Sequence, residues 1–131
     1  MVESELRFAG YAAVFGHPDR GGDVVRRGAF ARSLGRGAPI PLLWQHRPGR
    51  AIGQIEYLRE DKRGLRVIAR LSDARATEAL RAGRAMGLSF GYRVRAARDG
   101  PLRELVELDL VEVSLVSDPM QPQARVHATT G

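Results

Sequence analysis

Apolar residues alternate with polar ones along much of this chain, and glycine, proline and acidic turn residues cut the runs at short intervals. A period of two with such punctuation is the pattern of half-buried strands. It predicts a first strand over Leu6 to Phe15, closed by the turn Gly16-His17-Pro18-Asp19, and a short extended piece over Asp23-Val24-Val25-Arg26. Ile40 to Gln45, bounded by Pro39, Pro41 and Pro48, reads as an apolar strand that delivers His46 at its end. Ile52 to Arg59 and Gly64 to Leu71 alternate around Glu60-Asp61-Lys62-Arg63, which predicts a hairpin. A strand around Ser89, the turn Asp99-Gly100-Pro101 and a long strand from Leu102 to Val116 complete the set.

The clearest helical pattern runs from Asp73 to Ala82, with Ser72 as N-cap and Gly83 as C-terminal stop. Gly28 to Leu34 fits a second, shorter helix ended by Gly35-Arg36-Gly37. About seven strands with one or two helices, not in βαβ alternation, predict an α+β fold: a mainly antiparallel, mixed β-barrel or rolled sheet. One domain is expected over residues 1–120, since a chain of 131 residues can bury roughly two-thirds of its unfolded surface around one core. Residues 121–131 are polar and are expected to form a flexible tail.

Composition narrows the chemistry. There is no cysteine, which removes disulfides, a thiol nucleophile and thiolate-bound metal. The three histidines, His17, His46 and His127, have no metal-site spacing, and no cofactor is expected. The net charge of +6 comes from scattered arginines and fits a solvated basic surface. Aromatics make up only 6% and fall mostly on core-facing positions, which argues against a nucleic-acid platform. No apolar run approaches the ~20 residues of a membrane span, and Met1 to Arg7 does not look like a secretory signal, so a cytoplasmic protein is expected.

Three stretches each hold one reactive polar residue within a strand pattern: Leu43-Trp44-Gln45-His46, Gly87-Leu88-Ser89-Phe90-Gly91 and Val111-Glu112-Val113-Ser114-Leu115-Val116. A nucleophile, a base and an orienting carboxylate need such rigid placement. By alternation, Leu88, Phe90, Tyr92 and Val94 build core, while Ser89 stands on the other face between Gly87 and Gly91; glycines in a strand mark close approach by a backbone or ligand. Glu112 interrupts the apolar row Val106, Leu108, Leu110, Ser114 and Val116, and a carboxylate there is costly unless paired. A histidine or an arginine on a neighbouring strand would serve. Asp109 and Glu107, on the opposite face, are weaker candidates.

The order His, Ser, Glu differs from the chymotrypsin, subtilisin and α/β-hydrolase orders, and no Gly-x-Ser-x-Gly elbow occurs. With Phe8-Ala9-Gly10-Tyr11-Ala12-Ala13-Val14-Phe15, Gly22-Asp23-Val24-Val25, Gly28-Ala29-Phe30 and Asp118-Pro119-Met120-Gln121-Pro122-Gln123-Ala124, these segments resemble the prohead maturation proteases of tailed bacteriophages, relatives of the herpesvirus assemblins. The resemblance implies a serine endopeptidase with Ser89 as nucleophile, His46 as base and Glu112 as orienting acid. It implies the major capsid protein and scaffold as substrates, self-cleavage, action inside an immature capsid in a phage, prophage or gene transfer agent, and a possible homodimer. Gly28-Ala29-Phe30 has no catalytic group and is expected to be a packing anchor. Assemblins place an arginine pair after the last strand where this chain has Ser117-Asp118-Pro119-Met120, so oxyanion donors would come from Gly91 or from amides near Ser117. The rival readings are a basic β-barrel binding module and an inactive capsid-assembly scaffold.

Overall fold

The computed structural model describes residues 6–131. The N-terminal stretch read above for a targeting signal lies, through residue 5, outside them. The elements run β1 (Leu6–Val14), β2 (Asp23–Val25), α1 (Ala31–Gly35), β3 (Leu42–Trp44), β4 (Ala51–Glu60), β5 (Gly64–Leu71), α2 (Ala74–Arg81), β6 (Gly87–Arg98), β7 (Arg103–Val116) and β8 (Val126–Thr130). The eight strands form one mixed sheet in the order β2-β7-β3-β4-β5-β1-β8, with β6 on the other side of β7. Only the short β2 and β3 run parallel to β7; the other ladders are antiparallel. The sheet rolls until Gly87 of β6 meets Arg125 just ahead of β8. That seam is an isolated bridge, supported by Leu88 N–H to Ala124 O and Val126 N–H to Met86 O, both 2.9 Å, so the fold is a rolled sheet and not a closed barrel.

The core inside the roll is apolar: Phe8, Phe30, Leu42, Leu65, Val67, Leu88, Leu105, Leu108 and Leu115 are fully buried. In β5 the alternation is regular, with Leu65, Val67, Ala69 and Leu71 inward and Arg66, Ile68 and Arg70 half-buried on the other face. The hairpin turn between β4 and β5 is held by Asp61, whose carboxylate accepts the Arg63 and Gly64 N–H groups. Between β2 and β3, the exposed edge of β7 is satisfied by the segment that contains α1. Leu108 N–H donates to Ala29 O, Leu110 N–H to Ser33 Oγ and Val113 N–H to Pro41 O. Gly28-Ala29-Phe30 is thus a packing anchor: Glu60 accepts the N–H groups of Gly28 and Phe30, and the Phe30 ring meets Phe90 edge-on.

Several boundaries differ from the expectations. Asp73 caps α2 in place of Ser72, because its backbone is extended and its side chain accepts from Ala76 N–H at 2.9 Å. The flexible tail is the larger correction. Gln121 is buried and pairs with the Val14 backbone, accepting from its N–H at 2.8 Å and donating to its carbonyl at 3.2 Å. From there the chain runs past β6 and pairs with β1 as β8. Along β6 the expected two faces do not hold. Gly87, Leu88 and Ser89 are all buried, with the Pro119 ring against Gly87 on the side expected to be open, whereas Val94 is 41% exposed. The ladder with β7 slips between Gly91 and Tyr92, so the alternation changes partway along.

Candidate active site

Strands β6 and β7 place the sequence-selected residues side by side. Ser89 lies directly opposite Ser114, and Gly91 opposite Glu112, so the two serines and the acid share one face. On the far side of β7, Leu43 of β3 is in register with Ser114. The chain then leaves β3 and turns back over that face. Gln45 and His46 both adopt left-handed backbone, with φ of 50° and 60°. Non-glycine residues adopt it rarely, and two in succession require external anchors. Gln45 N–H donates to Leu115 O at 3.0 Å, and His46 N–H to Ser114 Oγ at 3.0 Å. The Gln45 amide grips Ser117 in both directions, its Nε2 donating to Oγ and its Oε1 accepting from N–H. Alternation alone would have extended His46 along β3; the left-handed turn instead swings it over β7.

There His46 Nδ1 meets Glu112 Oε2 at 2.6 Å. The other carboxylate oxygen, Oε1, accepts from the Ser114 hydroxyl at 2.7 Å. Glu112 is buried and Ser114 is fully buried, so the carboxylate is paired as burial demands. Its partners are a histidine and a serine. The weaker candidates are occupied elsewhere: Asp109 pairs with Arg36 and Arg95, and Glu107 with Arg32 and Arg95, on the outer face. His17 is exposed in a turn, and His127 faces Arg66 and Tyr11 on the outside of the roll.

Ser89 is 7% exposed and lines, with His46, Tyr92, Met120 and Asp19, a cleft of about 110 Å³. No hydrogen bond joins Ser89 Oγ to His46 among the described residues. The glycines beside Ser89 have a reason other than substrate access. A Cβ on Gly91 would strike the Glu112 carboxylate, and one on Gly87 would strike the Pro119 ring. Of the oxyanion donors considered above, the Ser117 N–H is already held by Gln45.

Ser114, Gln45 and Asp19 were not singled out from the sequence as parts of the site. For Ser114 the signal was present, since it lies two residues from Glu112 on the same strand face. For Gln45 and Asp19 no local pattern carries one, because their partners are distant in the chain or in its backbone.

A family model described as caudovirus prohead serine protease matches residues 2–131. The prohead protease of Enterobacteria phage HK97 is 28% identical over 135 residues, which cover 92% of this chain. The match spans 59% of that protein, less than two-thirds of its length. Among solved structures, the KSHV protease in complex with a hexapeptide phosphonate inhibitor superposes with a TM-score of 0.63 at 13% identity, over 98% of this chain and 66% of that one. The varicella-zoster virus protease gives 0.62 at 17% identity, over 95% and 64%. At these identities the two structures establish the likeness of fold.

Proposed function

Since the chain belongs to the caudovirus prohead serine protease family, we propose that it is a serine endopeptidase acting through Ser89, His46 and Glu112. The observation that carries this reading is the 2.6 Å contact between His46 Nδ1 and Glu112 Oε2. A carboxylate there accepts a hydrogen bond from Nδ1–H, which leaves Nε2 of the neutral ring as the proton acceptor. In this reading Nε2 receives the Ser89 proton as Oγ attacks the peptide carbonyl, and returns it to the leaving amine. Water then hydrolyses the acyl-enzyme by the same exchange. Glu112 stays ionised and stabilises the imidazolium, while Ser114 holds the carboxylate's second oxygen and the His46 backbone together. The serine–histidine hydrogen bond forms when substrate fills the cleft, as is common for sites that are loose when empty.

The substrates in this reading are the scaffolding segment of the major capsid protein and the protease itself, cut inside the immature capsid. Family membership and the HK97 relative support that assignment. No helix among the described residues is long and apolar enough to cross a membrane.

The test is co-expression with the capsid protein, with intact masses of both products. Capsid truncation is expected with the unaltered chain, and Ser89→Ala and His46→Ala should each lower it by at least ~10³-fold. Near-normal cleavage by either variant would overturn the roles assigned here, and no cleavage with the unaltered chain would favour an inactive assembly scaffold.

A further inference from the structure

The cleft beside Ser89 contains an acid that the reaction above does not use. Among the described residues, most carboxylates in this arginine-rich chain have a guanidinium partner, a turn or a helix cap. Asp19 makes no ion pair among them. Its Oδ1 accepts the N–H groups of Gly21 and Asp23, at 2.8 and 2.9 Å, which fixes the carboxylate by its own turn. The adjacent cation is engaged elsewhere: Arg20 pairs with Asp118 at 2.6 Å, and its N–H donates to Met120 O at 3.0 Å. Asp23 is held by Arg103 in a two-point contact at 3.1 and 2.8 Å. Among the described residues, Asp19 is therefore the one carboxylate lining the cleft, and it has no cation.

The walls suit a long side chain. Leu88, Phe90, Tyr92 and Met120 supply apolar surface, and about 110 Å³ holds one side chain and no larger unit. The Tyr92 hydroxyl has its pKa raised, by burial and then by the nearby charges of Asp23 and Asp19, so it stays protonated in a negative field. An aliphatic stem laid along this wall with a positive end at the carboxylate satisfies both halves of the cleft.

We propose that Asp19 is the specificity-determining residue of this cleft, receiving the cationic end of a lysine or arginine side chain on the acyl side of the scissile bond. This rests on the serine-protease reading given above. The carboxylate is anchored before substrate arrives, so little ordering opposes the ion pair. A glutamate in the same place would meet like charge, and a leucine would leave the acid unpaired.

The test uses three peptidyl diphenyl phosphonates that differ only in the side chain next to phosphorus: aminobutyl, isobutyl or carboxyethyl. Ser89 Oγ bonds to phosphorus, its proton passes to His46 and phenoxide leaves, so intact mass reports labelling. The aminobutyl probe should react at least ~10-fold faster than the isobutyl one, the scale of a hydrogen bond to a charged group. Asp19→Asn keeps an oxygen for the Gly21 and Asp23 N–H groups and should remove most of that ratio. Equal rates for the two probes, or a ratio that survives Asp19→Asn, would overturn the proposal. A plain fluorophosphonate serves as a fourth probe. Ser89 labelled by it without the aminobutyl preference sinks the specificity alone, and no Ser89 adduct from any of the four sinks the serine reading as well.

Discussion

Strand β7 carries acids with two different fates. Glu107 and Asp109 project outward and meet arginines from α1, the loop that follows it and β6, at the surface. Three residues beyond Asp109, Glu112 lies beneath His46, where its side chain is 10% exposed and touches no arginine among the described contacts. The outer pairs gain little, because solvent screens them and long side chains lose entropy in forming them. The inner acid must have partners or it would destabilise the fold, and its partners are a histidine and a serine. Burial and partners, not residue type, separate a surface carboxylate from one that can orient a base.

The sharpest way to break the contrast is Glu112→Gln. The amide keeps the shape and can still accept from Ser114, yet it presents an N–H to His46 Nδ1 and favours the wrong tautomer. Labelling of Ser89 by a fluorophosphonate should slow by at least ~10²-fold while the denaturation midpoint moves little. A large loss of stability with an unchanged labelling rate would make Glu112 a structural acid only.

Ser114→Ala should have a middle effect on both readouts. It leaves Glu112 Oε1 and the His46 N–H without their partner in a fully buried place, which costs about 1–3 kcal/mol in chemical denaturation. Labelling should slow by roughly tenfold, because the carboxylate and the histidine backbone lose their common tie. Unchanged labelling at reduced stability would confine Ser114 to folding.

The smallest effect belongs to Asp109→Asn, which should leave labelling at the wild-type rate. Its trace is in the pH dependence. Burial alone would raise the Asp109 pKa, but hydrogen bonds from Arg36 and Arg95 outweigh it, and the net shift is downward. A carboxyl depressed in the folded state adds stability above its unfolded pKa of about 3.9, and loses it as pH falls through the lower folded value. Stability curves against pH should therefore run a small, constant distance apart above about pH 4 and converge below it as the wild type loses its advantage, the variant being the flatter. A gap that does not close on acidification would mean that the Asp109 charge adds nothing to stability.

Much of this was legible in the chain. The β4–β5 hairpin is a local matter of alternation and an acidic turn, and the stop of α2 is a glycine with φ of 76°. Ser89, His46 and Glu112 could be selected because each breaks an apolar run. What escaped depends on distant contacts. Val126 to Thr130 reads as a polar tail until β1 offers it an edge, and Gln121 looks solvated until it meets Val14, 107 residues away. The glycines around Ser89 signalled close approach correctly, but the approaching groups were Glu112 and Pro119, both fixed by the second half of the chain. The placement of His46 was the least legible, since two left-handed residues without glycine follow from no local preference.

That pair of residues also ties the site to the sheet. The turn at Gln45 and His46 is strained, at a cost of roughly 1–3 kcal/mol per residue, and is restrained by Leu115, Ser114 and Ser117. Two of those restraints, Ser114 and Leu115, are fully buried in β7, between β6 and β3. The imidazole is therefore latched to one of the most enclosed stretches of the molecule, and its aim lasts as long as that stretch stays paired.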